Sequence, residues 1–89
     1  MNRLVDQKNP IVTYLAAEGL THTQFSILAR VGCATVSTVA QGQARSLPKS
    51  FVQAIDERSG KGAGNKAASA YLRYREDLRN TLIVTNHNK

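Results

Sequence analysis

Apolar side chains recur every three or four positions along most of this chain, which is the spacing of one face of an α-helix. The sequence contains no sustained alternation of apolar and polar residues, the pattern that indicates a half-buried strand. The pattern therefore predicts an all-α protein, a compact bundle of four to five helices. Capping residues, prolines and glycines predict where each helix begins and ends.

The first helix is predicted over the segment PIVTYLAAE. Asn9 followed by Pro10 is a strong helix start, because a capping side chain precedes a proline at the first helical position. Gly19 follows the last apolar residue of the pattern and is typical of the position that ends a helix.

The next segment predicts two short helices joined by a tight turn. Thr21 can cap the first of them, and Gln24 can reach back to the Thr21 amide, which is the reciprocal capping-box pattern. Val36 and Val39 give the second helix an inward face. We expect Gly42 to end this helix in the left-handed conformation.

The outward side of the second helix of this pair is short and uncharged, with Cys33, Ala34, Ser37 and Thr38. Exposed helices usually carry Lys and Glu, so an uncharged run from Cys33 to Gln41 favours a contact face over an ordinary surface. Cys33 is also a candidate redox sensor or metal ligand. Because only His22 and His87 accompany it, no metal-ligand spacing exists, and we expect a small contact residue.

Pro48 starts a predicted fourth helix that Gly60 closes. The segment SGKGAGN, residues 59–65, predicts a flexible linker because glycine is frequent in it. It lacks the GK[ST] ending of a phosphate loop and so does not indicate a nucleotide site.

After the linker, Asn65 can cap a fifth, amphipathic helix that runs to about Leu82, followed by a frayed tail. The chain accordingly divides into a helix-turn-helix unit, residues 1–60, and a linker with a basic amphipathic helix, residues 61–89.

The fifth helix carries a stripe of apolar and aromatic residues at helical spacing, Tyr71, Tyr74, Leu78 and Leu82. An apolar stripe of this kind packs against another surface. Two alternatives stay open: an interface with a second copy or another protein, or docking on the chain's own helices.

The composition is strongly basic. Twelve Lys and Arg against six Asp and Glu give a formal net charge of +6 and a pI near 10.0. The C-terminal third is the more basic part of the chain. This balance favours a polyanionic partner, either nucleic acid or an anionic membrane surface. A basic surface that contacts only solvent would have the same net charge.

Several other classes of protein fit poorly. A single cysteine excludes an intramolecular disulfide and fits a reducing cytosol. No apolar run approaches the roughly 20 residues of a membrane span, and the polar start lacks a signal-peptide core, so we expect a soluble, cytoplasmic protein without membrane contact. If its polyanionic partner is DNA, the protein would be nucleoid-associated. The carboxylate pairs Asp56-Glu57 and Glu76-Asp77 place neighbouring side chains on different helix faces, and we expect no enzyme, cofactor or metal.

From Gly19 to Ile55 the chain resembles the lambda repressor/Cro-like (XRE) helix-turn-helix family. The matching residues are Gly19, Leu20, Thr21, Phe25, Ala29, Val31, Val36, Val39, Gly42 and Pro48. Three positions depart from the family pattern: Ser26 replaces alanine, Arg30 replaces the turn glycine, and Gly32 replaces a capping serine or threonine. A left-handed arginine costs about 1 kcal/mol, so the turn is where we expect the geometry to differ.

The resemblance implies that the second helix of the pair reads DNA bases through Cys33, Ala34, Ser37 and Thr38. It also implies contacts to the DNA backbone from His22, Thr23, Thr35, Gln41, Gln43, Arg45, Ser46 and Lys49. None of the four base-facing residues is Arg, Lys, Asn or Gln, the side chains that form two hydrogen bonds with guanine or adenine. Thymine-methyl contacts, single hydrogen bonds and DNA shape would therefore supply the sequence preference. Arg3 and Lys8 in the N-terminal arm are further candidates for DNA contact.

The function implied is a sequence-specific, double-stranded-DNA-binding transcriptional regulator. We expect a small repressor of phage, plasmid or other mobile-element type that binds a palindromic operator as a homodimer. One alternative is an antitoxin or accessory factor joined to a partner protein through its last helix. A second alternative is a protein-interaction adaptor without DNA contact.

Overall fold

The computed structural model describes residues 9–87, with side chains for residues 9–83, and every element in this range is an α-helix. The helices are α1 Pro10–Glu18, α2 His22–Ala29, α3 Cys33–Ala40, α4 Lys49–Ser59 and α5 Ala63–His87. The all-α prediction is therefore confirmed for this part of the chain. The DNA-contact candidates Arg3 and Lys8 lie outside the described residues.

Helix boundaries follow the local capping chemistry. The Asn9 side chain accepts a hydrogen bond from the Ile11 amide at 2.9 Å, which caps α1. Thr21 and Gln24 form both hydrogen bonds of the predicted capping box at the start of α2. Gly19 takes the left-handed conformation, with φ 67°, and ends α1 as predicted.

A single apolar core joins all five helices. Phe25 of α2 and Phe51 of α4 meet edge to face at its centre, with their ring centroids 5.0 Å apart. The buried apolar residues are Ile11, Leu15, Phe25, Ala29, Val36, Val39, Leu47, Phe51, Ala54, Ile55 and Tyr71. Because Tyr71 belongs to this set, α5 shares the core of the first sixty residues.

The linker prediction is wrong for its second half. Helix α5 begins at Ala63, so Gly64 and Asn65 lie in its first turn and Asn65 is not its cap. A Cβ atom at Gly64 would lie 2.2 Å from the carbonyl oxygen of Val52, which shows that α4 and α5 approach each other closely at this glycine. The Gly64 amide donates a hydrogen bond to the Asp56 carboxylate at 2.7 Å, and this bond fixes the start of α5.

The predicted stripe on α5 is buried at its beginning and exposed at its end. Tyr71 is 0% exposed and its hydroxyl donates to the Ala44 carbonyl at 2.7 Å. Of the two alternatives, the interface with a second copy or another protein is therefore wrong for this residue, which docks on the chain's own helices. Burial, the largest influence, raises the pKa of the Tyr71 phenol above its ordinary value of 10.0, and the Arg75 side chain counteracts it. Tyr74 and Leu78 are half-buried, and Leu82 is exposed. The first half of the stripe thus docks on the chain's own helices.

Helix α5 is long but carries charged residues through its middle. At 25 residues it is about 37 Å long, most of the 45 Å length of the molecule. Of the helices described, none combines the length and the apolarity needed to cross a membrane.

Candidate nucleic-acid interface

The turn between α2 and α3 contains Arg30, Val31 and Gly32. Arg30 itself takes the left-handed conformation, with φ 60° and ψ 42°, which is uncommon for a residue other than glycine. Its amide donates to the Ile27 carbonyl at 3.2 Å, and the Val31 amide donates to Ser26 at 3.0 Å. These bonds satisfy carbonyls at the end of α2 and offset the steric cost of the arginine.

Helix α3 presents the predicted face outward. Val36 and Val39 are buried against the core and fix the rotation of the helix. Cys33, Ala34 and Thr38 are consequently exposed, and Ser37 is half-buried. The predicted placement of the four side chains on the protein surface is confirmed, while their contact with bases stays a prediction.

The beginning of α2 lies beside this face. His22 Nδ1 is 3.5 Å from the Ser37 hydroxyl, and the Thr23 hydroxyl is 3.9 Å from the Cys33 sulfur. Six side chains therefore form one continuous surface, which we call the α2–α3 surface: His22, Thr23, Cys33, Ala34, Ser37 and Thr38. Among the residues whose side chains are described, no three His, Cys, Asp or Glu groups come together as a metal site requires.

The chemistry of the α2–α3 surface is that of short polar and methyl groups. The Thr38 hydroxyl donates to the Ala34 carbonyl at 2.9 Å, so its hydrogen is engaged within the helix. Thr38 therefore offers a methyl group and acceptor lone pairs to a ligand. Ser37 can donate or accept, and Ala34 adds a second methyl group. Such a surface can meet thymine methyl groups and make single hydrogen bonds to base edges.

The end of α3 is held from behind by side chains that the sequence did not reveal as part of the site. The side-chain amide of Asn9 donates hydrogen bonds to the backbone carbonyls of Val39 and Ala40, at 2.8 and 3.0 Å. In the loop after α3, Arg75 donates to the Gly42 carbonyl, and Tyr71 donates to Ala44. The capping role of Asn9 could be predicted from its neighbour Pro10. Its second role depends on a contact thirty residues away along the chain.

We expect Asn9→Asp to destabilise the protein more than Asn9→Ser does. Aspartate keeps an acceptor for the Ile11 amide but loses both donors and sets a carboxylate against the carbonyls of Val39 and Ala40, at a cost of roughly 2–3 kcal/mol. Serine keeps the cap without the repulsion, so about 1 kcal/mol is expected. Urea unfolding measures both values, and equal stability of the two variants would contradict this account.

The loop between α3 and α4 carries no negative charge, and its polar residues are exposed, while its Leu47 is buried in the core. The residues predicted to contact the DNA backbone outside the α2–α3 surface are all exposed: Thr35, Gln41, Gln43, Arg45, Ser46 and Lys49. No acidic residue occurs in the sequence between Glu18 and Asp56, whereas Arg30, Arg45 and Lys49 are cationic. The Gln43 amide donates to the Thr38 carbonyl at 3.0 Å, which keeps the loop next to α3. A polyanion approaching this side would meet no like charge from this stretch of chain.

The α2–α3 surface and the following loop share three properties. Their predicted contact residues are largely exposed, and their segment carries no negative charge. Asn9 holds the end of α3, while Arg75 and Tyr71 hold the loop that follows it. A rigid, cation-bearing surface with short side chains is suited to a polyanion approached at close range. Comparisons of the chain with protein-family models, curated proteins and solved structures found no match.

Proposed function

We propose that this protein is a sequence-specific DNA-binding transcriptional regulator. In this proposal α2 and α3 form a helix-turn-helix, and α3 is the recognition helix that enters the major groove. The observation that carries the proposal is the exposed, uncharged face of α3, continuous with the start of α2 and set in a segment without acidic residues. The low bulk of this face lets the helix backbone approach the base edges closely.

Phosphate contacts would come from the two margins of this face. His22 and Thr23 lie at the start of α2, where helix amides and the helix dipole favour anions. Arg45 and Lys49 are exposed cations beyond the other end of α3. Phosphate contacts on both sides would fix the register of the protein on the duplex without reading sequence.

Base recognition would depend on methyl groups and single hydrogen bonds. Ala34 and Thr38 suit thymine methyl groups, and Ser37 suits a donor or acceptor on a base edge. Because single contacts discriminate less than bidentate ones, DNA shape would contribute to the preference. We therefore expect a recognition sequence with A·T pairs opposite the face of α3.

Repression would follow from occupancy of the operator. A homodimer would place two α3 helices in successive major grooves, about 34 Å apart, on a roughly palindromic site that overlaps a promoter. Bound protein would then exclude RNA polymerase sterically. Control of phage, plasmid or other mobile-element genes is consistent with the resemblance of residues 19–55 to repressors of that type.

Selection of bound duplexes from a random pool, followed by sequencing, tests this function. We expect a two-fold symmetric consensus with thymines in each half-site, and binding that weakens steeply as salt rises. Selection without any enriched sequence would contradict sequence-specific recognition. Absence of a retarded duplex at low salt would contradict DNA binding altogether.

A further inference from the structure

A second side of α5 exposes apolar residues that the core does not use. Leu72 and Ile83 on this side are 52% and 45% exposed, and Leu82, at the end of the stripe that begins with Tyr71, is 49% exposed. Together with Gly42 and Arg45 of the loop after α3 they line a groove of about 530 Å³. This face lies beside the one that buries Tyr71, so the docking of α5 on the core leaves it free.

The groove face has the spacing of a helix-pairing seam. Leu72, Glu76, Arg79 and Ile83 follow one another at intervals of four, three and four residues. Positions at these intervals lie on one side of a helix and form the contact line when two helices pair. The seam is apolar at both ends and oppositely charged at its two central positions.

We propose that this seam pairs with the same seam of a second copy of the chain, with the two α5 helices antiparallel. A two-fold axis between positions 77 and 78 sets Leu72 against Ile83 of the second copy, at both ends of the contact. The same axis sets Glu76 against Arg79 of the second copy, twice. Every position of the seam thereby meets a complementary one.

The charges favour this partner and this direction. A parallel pair in register would place Glu76 against Glu76 and Arg79 against Arg79, which like-charge repulsion disfavours. Within one chain, Glu76 and Arg79 are 3.9 Å apart and both are well exposed, so each remains available to the second copy. Self-complementarity of this kind is the property of an isologous interface.

The interface is short and adjoins the surface proposed to contact DNA. A contact of about three helical turns falls at the small end of specific interfaces, so the free dimer would be weak. Arg45 lines the groove and belongs to the loop after α3, which places the pairing face next to the proposed DNA surface. The inference rests on the proposed function in one respect: two protomers bound to adjacent half-sites would have a high effective concentration relative to each other, and this would strengthen the dimer on its operator.

Charge exchange between Glu76 and Arg79 tests the pairing on the full chain. Glu76→Arg and Arg79→Glu should each raise the dimer dissociation constant about tenfold or more in sedimentation velocity, since each sets like charges together twice. The double variant, and an equimolar mixture of the two single variants, should restore association to within about threefold of the original. Asp77→Arg is the matched control, because it makes the same change of charge about 130° around the helix from the centre of the seam and should leave association unchanged.

The outcomes separate this inference from the proposed function. Monomeric protein at all concentrations, or a dimer that neither single variant weakens, would overturn the pairing. If both single variants weaken the dimer, but neither the mixture nor the double variant restores it, the antiparallel register is overturned. Circular dichroism checks that each variant is folded, and Leu72→Asp should weaken association independently. A half-site duplex that still binds a monomeric variant would leave the DNA-binding proposal standing, whereas dimers without duplex binding would leave only the pairing.

Discussion

Gly64→Ala is expected to destabilise the protein by roughly 3 kcal/mol, although alanine ordinarily stabilises a helix relative to glycine by up to about 1 kcal/mol. The added Cβ would lie 2.2 Å from the carbonyl oxygen of Val52 and 2.8 Å from its carbonyl carbon. Because these atoms are backbone, α4 and α5 would have to separate. For a domain of this size the melting temperature should fall by about 10–25 °C, which thermal unfolding followed by circular dichroism measures.

Two further variants isolate the cause of this loss. Ala70→Gly, at an exposed position of α5, reports the ordinary propensity difference between the two residues and should cost about 1 kcal/mol. Val52→Ala in the Gly64→Ala background should not restore stability, because trimming the side chain leaves the Val52 carbonyl in place. A stabilised Gly64→Ala variant would show that the two helices do not approach closely at this glycine.

The start and end of most helices could be predicted because local chemistry decides them. The cap at Asn9, the capping box of Thr21 and Gln24, and the left-handed Gly19 involve residues no more than a few positions apart. Backbone amides at a helix start need acceptors whatever the rest of the fold does. Arg30 also ends its helix through local bonds: it adopts the left-handed conformation although it is not glycine, and the Arg30 and Val31 amides donate to carbonyls three and five residues earlier.

Packing between distant segments could not be predicted from the same patterns. Glycine is the residue of flexible linkers and also of close helix contacts, so the sequence around Gly64 fits both. The atom that decides between them belongs to Val52, twelve residues earlier. In the same way, the aromatic stripe on α5 indicates burial but not the surface that provides it, and the structure buries Tyr71 in the chain's own core.

The candidate site depends both on local sequence patterns and on packing between distant segments. The outward position of Ser37 and Thr38 on α3 could be predicted, because Val36 and Val39 had to face the core. The bonds from Asn9 to the end of α3, and from the α5 side chains to the loop after it, could not be predicted, since they depend on how distant segments pack. The sequence therefore predicts which side chains form the surface, and the structure adds how that surface is held rigid.

Ser37→Glu is expected to abolish sequence-specific DNA binding while the protein stays folded. If α3 lies in the major groove, a carboxylate at position 37 would face base edges between two phosphate backbones, where its charge is repelled and poorly solvated. A cost of about 1.4 kcal/mol or more in each half-site amounts to at least a hundredfold weaker operator binding by the dimer. Glutamate is a good helix former, and the Ser37 contact with His22 is long at 3.5 Å, so α3 should retain its structure.

Two comparisons tell loss of base recognition from a general charge effect. Ser69→Glu makes the same change at an exposed position of α5 and should leave the ratio of specific to non-specific affinity unaltered. Lys49→Ala should weaken binding to all duplexes similarly and reduce the salt dependence by about one unit, as expected for a lost phosphate contact. Fluorescence anisotropy with the selected operator and a scrambled duplex, over a range of salt, gives all of these quantities. Retention of full operator specificity by Ser37→Glu would mean that the exposed face of α3 is not the surface that reads DNA, because a negative charge cannot occupy the groove floor without affecting recognition.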